Sequence, residues 1–197
     1  PYTADKARIV VQEMIDGISL ELVEKRLVTD QLVLTVGYDI ENLTRPEIRK
    51  VYKGPVTTDR YGRRVPKHAH GTWNLPRATS SSSELLEAMA ALYDKIVNPA
   101  LLIRRMSLSA CHVVNEKMAK EREQKETFEQ LDLFTDYAKK EAKEKEEQKK
   151  RERERRMQEA LLTIKKKYGK NAVLRGMNFE EGATAKERNG QIGGHQA

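Results

Sequence analysis

Apolar residues recur at Val11, Met14, Ile15, Ile18 and Leu22, the spacing of one face of an amphipathic helix. Thr3 and Asp5 stand ahead of this run as capping candidates. Gly17 lies inside it at a cost of about 1 kcal/mol relative to Ala, so the helix has to gain from packing. From Gln31 to Asp39 the period changes to two. Leu32, Leu34, Val36 and Tyr38 share one side and Val33 and Thr35 the other, which predicts a strand. His68 to Leu75 alternates again, with Ala69, Gly71, Trp73 and Leu75 opposite His68, His70, Thr72 and Asn74. The serines at 80–83 then offer an N-cap, and Glu84 suits the first turn of a second helix. Leu85, Leu86, Met89, Leu92, Tyr93, Ile96 and Val97 give that helix a wide apolar face, and Asn98-Pro99 ends it. Residues 103–114 return to period two, with Met106, Leu108 and Ala110 opposite Arg105, Ser107 and Ser109.

The order helix, strand, strand, helix, strand predicts an α+β sandwich with both helices on one face of an antiparallel or mixed sheet. A strand ahead of Pro1 would complete a split β-α-β-β-α-β unit. The chain opens at Pro1, without an initiator methionine and directly in a helical pattern, and reads as a piece of a longer protein. Residues 45–67 hold Pro46, Gly54, Pro55, Gly62 and Pro66 with few apolar positions, and read as a long loop or hairpin. Residues 1–115 form the expected domain, 116–138 a linker, 139–168 a charged helix and 169–197 a glycine-rich tail. Between 139 and 156 nearly every residue is charged, Ala or Gln, the composition of a solvated helix or a disordered charged segment.

Apolar residues make up 38% of the 197 and charged residues 34%, too few apolar side chains for one compact domain of that length. This favours a domain plus an extended polar arm. The single cysteine, Cys111, excludes an intramolecular disulfide and suits a reducing, cytoplasmic setting. No apolar run reaches the roughly 18 residues of a membrane helix, so no membrane partner is expected. No phosphate-cradling glycine motif appears, and His68 and His70 lack further ligands for a metal. No cofactor is expected for this chain, and no catalytic constellation is visible. Nothing in the pattern defines an oligomeric state.

The net charge of +7 points to a polyanionic partner only where it is concentrated. Residues 45–67 concentrate it: Arg45, Arg49, Lys50, Lys53, Arg60, Arg63, Arg64 and Lys67 face only Glu47 and Asp59. Tyr52 and Tyr61 are interleaved and suit stacking or hydrogen bonding on a nucleic-acid backbone. The sheet face turned away from the helices would show Val33, Thr35, His68, His70, Thr72, Asn74, Arg105, Ser107 and Ser109, without a carboxylate. Hydroxyls and amides of that kind suit phosphate and sugar oxygens, so DNA is the expected partner. In the linker, Gln130-Leu131-Asp132-Leu133-Phe134 puts three large apolar side chains behind an amide. Such a peptide is a poor start for a core and a good anchor in an apolar pocket. A competing reading makes Phe128, Leu131 and Phe134 an ordinary packing stripe on a scaffolding arm with no DNA role. That reading needs an apolar heptad through 139–156, and none is present.

Four runs carry a family resemblance. Ile103-Arg104-Arg105-Met106-Ser107-Leu108-Ser109 resembles the last strand of the little-finger domain of Y-family translesion DNA polymerases, and Thr72-Trp73-Asn74-Leu75-Pro76 the preceding strand and its exit. Gln130–Phe134 resembles the Gln-Leu-x-Leu-Phe motif with which bacterial replication proteins grip the sliding clamp. The end, from Lys167-Tyr168-Gly169-Lys170 through Glu180-Glu181-Gly182-Ala183-Thr184, is similar to that of Gram-positive UV-damage repair polymerases of the UmuC/DinB (ImpB/MucB/SamB) class. The resemblance implies a little finger lying along primer–template duplex DNA, with Arg104, Arg105, Ser107 and Ser109 at matching positions. It implies docking on the sliding clamp through Gln130–Phe134. Ser109 stands where a basic residue is frequent in the family, and the 45–67 insertion is longer than usual. The family's catalytic carboxylates and Mg²⁺ belong to palm and fingers domains that nothing here matches. The implied role is therefore non-catalytic, within DNA repair and the SOS response.

Overall fold

The computed structural model describes residues 1–129, 137–192 and 195–196, with side chains described for 1–123 and 145–191. Helix α1 (Ala4–Lys25) buries Ala7, Val11, Ile15, Leu22 and Val23 and stops at Arg26, whose left-handed φ of 55° turns the chain out of the helix. Strand β1 (Leu27–Tyr38) follows, then two short helices, α2 (Glu41–Thr44) and α3 (Pro46–Val51). A hairpin of β2 (Val56–Thr58) and β3 (Arg64–Pro66) leads into β4 (Ala69–Thr79). Helix α4 (Ser82–Ile96) is capped by Ser81, whose hydroxyl accepts from the Glu84 N–H at 3.2 Å. Strand β5 (Ile103–Cys111) and the short β6 (Val114–Asn115) complete the sheet.

The strand order is β4-β1-β5, with β6 extending the β5 side of β1. Both neighbours of β1 are antiparallel to it, so β4 and β5 are parallel to each other and α4 crosses between them. The α+β sandwich expected from the pattern is present. Leu32, Leu34 and Val36 are fully buried beneath Ile15, Leu85, Met89 and Leu92, and Trp73 and Leu108 pack at the margins of the same core. Gly71 lies on the core side of β4. A Cβ there would come within 2.8 Å of Ile96 and 2.9 Å of Leu92, so the glycine sets how closely α4 seats on the sheet. Ahead of α1 the chain touches the sheet at Tyr2. Tyr2 exchanges backbone hydrogen bonds of 2.8 and 2.7 Å with Ile103, antiparallel to β5 on its outer edge.

Residues 45–67 are more ordered than a loop. Ile48 and Tyr52 pack on the core and the hairpin carries the rest. Beyond the sheet come α5 (Glu116–Glu129) and α6 (Tyr137–Tyr168), then a 3-10 turn (Gly176–Phe179), α7 (Ala185–Arg188) and the paired β7 (Gln191–Ile192) and β8 (His195–Gln196). Helix α6 is charged and largely exposed, as its composition implies, but it is not wholly solvated. Gln158 is 1% exposed and donates to the Ser80 carbonyl and the Ser82 hydroxyl, both at 3.0 Å. Glu154 accepts from the Ser83 N–H at 2.8 Å and from the Ser81 and Ser83 hydroxyls, at the N-terminus of α4 where the dipole favours an anion. The chain after α6 then wraps α1, with Arg175 on Asp16 at 2.8 Å and Lys6 on Glu181 at 2.5 Å. Glu13, wholly buried, accepts from Asn178, Thr184 and Arg188.

Candidate nucleic-acid interface

Register decides which side chains share the open face of the sheet. Thr72 and Ser109 stand on either side of Val33, His70 and Ser107 on either side of Thr35, and Asn74 beside Gln31. Arg105 stands opposite Gly37, one step nearer the end of β1. His70, Thr72, Asn74, Arg105, Ser107 and Ser109 are all exposed. The face bears no carboxylate among these rows. Two neighbouring pairs are tied: Gln31 Nε2 donates to Asn74 Oδ1, and Thr35 Oγ1 shares a hydrogen bond with His70 Nδ1, both at 2.9 Å. The hydroxyls of Thr72, Ser107 and Ser109 make no side-chain hydrogen bond among the described residues and are exposed. Arg104 falls on the other side of β5 and lies 3.9 Å from Asp39 Oδ2.

The cations gather at one end of this face. β1 ends at Tyr38, β3 leads through Lys67 into the start of β4, and Arg105 is the third residue of β5. Asn42, fully buried, holds this end together. Its Nδ2 donates to the carbonyls of Asp39 and Leu102, and its Oδ1 accepts from the Leu102 N–H. Not every cation of the 45–67 segment is free. Arg45 is paired with Glu41 in α2, and Arg63 with Asp59 at 2.7 Å. The Arg63 side chain, with help from the backbone N–H groups of Arg63 and Tyr61, holds the Asp59 carboxyl below the usual range. Arg49, Lys50, Lys53, Arg60, Arg64 and Lys67 are exposed and have no ion-pair partner among the described residues. Tyr52 is not available to a ligand in the way the sequence implies. It is half-buried against the core and its hydroxyl donates to the Pro55 carbonyl at 2.8 Å; burial pushes its phenol up.

The opposite end of the sheet carries the arm. β6 pairs with Leu27 and Val28 at the start of β1, and α5 begins directly after it. Helix α6 passes back beside α5, with Arg155 3.4 Å from Glu116 at the base, across a charged cleft of about 1240 Å³. At about 3.3 Å per residue the 12 residues of β1 separate the basic end from the arm by roughly 40 Å. Gln130, Leu131, Asp132, Leu133 and Phe134 lie outside the described residues, in the segment joining α5 to α6. Among the described residues, no three His, Cys, Asp or Glu side chains gather as metal ligands, and no helix is long and apolar enough to cross a membrane.

The docking of α6 by Gln158 and Glu154 and the burial of Asn42 and Glu13 were missed by the sequence reading. Each is a polar residue marked only by its partners, which lie more than 50 residues away in all four cases. No protein-family model, curated protein or solved structure matches the chain.

Proposed function

We propose that this chain is the DNA-binding, non-catalytic part of an error-prone translesion polymerase: a little finger on duplex DNA, with an arm that docks on the sliding clamp. The observation that carries the proposal is the open sheet face. It combines hydroxyls at Thr72, Ser107 and Ser109 that have no side-chain partner among the described residues with rows free of carboxylates, and it runs toward cations that have no ion-pair partner among the described residues. An ordinary solvent face mixes acids and bases; a face free of acids is suited to a polyanion. The order β4-β1-β5, and the antiparallel contact of Tyr2 on the far side of β5, support the little-finger reading.

Clamp docking rests on the Gln130–Phe134 motif and on where its flanking helices attach. They leave the sheet at the end away from the cations, so DNA and clamp would meet different ends of the molecule. The parent's catalysis and its Mg²⁺ would belong to other domains.

The test inserts charge into the middle of the face. Thr72→Glu together with Ser109→Glu, both beside Val33, should weaken binding to a short DNA duplex at least about tenfold in fluorescence anisotropy while the fold persists. Affinity equal to the parent's would refute the face as the interface. For the arm, Leu133→Ala with Phe134→Ala should remove binding to the purified sliding clamp and leave duplex affinity intact. Undiminished clamp affinity would sink that half.

A further inference from the structure

The hairpin between β2 and β3 carries an aromatic ring at its tip, and its turn is built to hold it there. Asp59 organises that turn. Its Oδ1 accepts from the Tyr61 N–H at 2.9 Å and the Arg63 N–H at 3.0 Å, and its Oδ2 from Arg63 Nε at 2.8 Å. The Asp59 N–H donates to the Arg63 carbonyl and the Gly62 N–H to the Asp59 carbonyl. Gly62 adopts φ of 78°, the left-handed conformation that a glycine takes without strain. Tyr61 between them is 66% exposed. The guanidinium of Arg60 lies 4.8 Å and that of Arg63 5.1 Å from its ring centroid.

From this we infer that Tyr61 is a stacking finger for an unpaired nucleobase, with Arg60 meeting the adjacent phosphate while Arg63 stays on Asp59 and braces the turn. The inference rests on the nucleic-acid reading of the sheet face and extends it to a different part of the ligand. The open face has no Phe, Tyr or Trp in its rows, and the His70 imidazole there is tied to Thr35 Oγ1, so the face offers chiefly oxygen and phosphate contacts. Unpaired bases are held on aromatic rings and guanidinium planes, both of which the tip supplies in one place. The cation–π geometry also keeps positive charge beside the ring, so a base that stacks there brings its phosphate to an arginine. A ring needed only to cover the arginine stems would not require a turn with five hydrogen bonds beneath it. Tyr52, the other tyrosine of the segment, shows the contrast: its hydroxyl is tied to Pro55 and its ring packs inward.

The experiment compares two probes on the full 197-residue chain. One is a blunt DNA duplex; the other is the same duplex with a short single-stranded extension carrying 2-aminopurine. The parent should bind the extended probe roughly tenfold tighter and quench its 2-aminopurine. Tyr61→Ala should erase the preference and the quenching while blunt-duplex affinity stays within about twofold, and Tyr61→Phe should keep both. Asp59→Ala, which loosens the turn and leaves the ring, should reduce the preference partway. A Tyr61→Ala protein that keeps the preference, or loses affinity equally for both probes, would overturn the inference, as would a parent with no preference. In those cases blunt-duplex binding still upholds the sheet-face reading. A parent that binds neither probe would remove that reading as well.

Discussion

Asn42 and Leu102 exchange two hydrogen bonds: Asn42 Nδ2 donates to the Leu102 carbonyl at 2.8 Å, and the Leu102 N–H donates to Asn42 Oδ1 at 2.7 Å. The pair locks the start of the basic insertion to the turn that feeds β5, and so positions Lys67 and Arg105 at one end of the sheet. Asn42→Ala leaves the Leu102 N–H without its partner, while the Leu102 and Asp39 carbonyls keep backbone donors, and should cost about 1–3 kcal/mol, read from the urea midpoint. A loss under about 0.5 kcal/mol would show that the junction is held by other contacts.

Gly71 makes a complementary statement about packing. Gly71→Val would drive a branched side chain into Leu92 and Ile96 and lift α4 from β4. The expected cost is about 1–3 kcal/mol, with near-ultraviolet circular dichroism of Trp73 altered. A variant as stable as the parent would mean that the two side chains swing aside freely.

The docking of α6 depends on Gln158 and Glu154. Gln158→Ala with Glu154→Ala should raise hydrogen exchange across 145–168 and leave β1 protected, because the clasp binds the arm and not the sheet. Equal exchange in parent and variant would assign the docking to the other contacts of α6.

Glu13 gives the C-terminal wrap a pH dependence. Burial pushes its carboxyl up, but hydrogen bonds from Asn178 and the Thr184 and Ala185 backbones, with the Arg188 charge, outweigh that and hold it below the ordinary range. A carboxyl whose folded value is depressed contributes its full stability above the unfolded value and loses it as pH falls through the folded one. Exchange in 170–190 should therefore rise in acid, below the ordinary carboxylate range. Glu13→Gln should show raised exchange at neutral pH and a flatter pH profile; a profile matching the parent's would assign the acid response elsewhere.

These residues also show what a sequence reveals and what it hides. The alternation of Leu32, Leu34 and Val36 and the helical stripe of Leu85, Met89 and Leu92 reported the sheet, its buried face and the second helix, because burial imposes a period. The open face followed by subtraction, since Thr72 and Ser109 occupy the remaining positions of the same alternation. Polar residues that act through one distant partner impose no period. Asn42, Glu13, Gln158 and Glu154 therefore looked like solvent-facing positions. The charge excess of 45–67 was readable as a count, but the pairing of Arg63 with Asp59 and of Arg45 with Glu41 was not, and it removes two cations from the free set.

The central claim is that the acid-free face and its basic end bind duplex DNA chiefly through phosphates. The most direct test is a salt titration of duplex affinity for the parent and for a triple variant, Arg64→Ala, Lys67→Ala and Arg105→Ala. Each lost phosphate contact lowers the slope of log affinity against log salt by about 0.9. The variant should bind more weakly, with a slope smaller by about two to three. Two parallel lines, or a parent whose affinity does not change with salt, would contradict it.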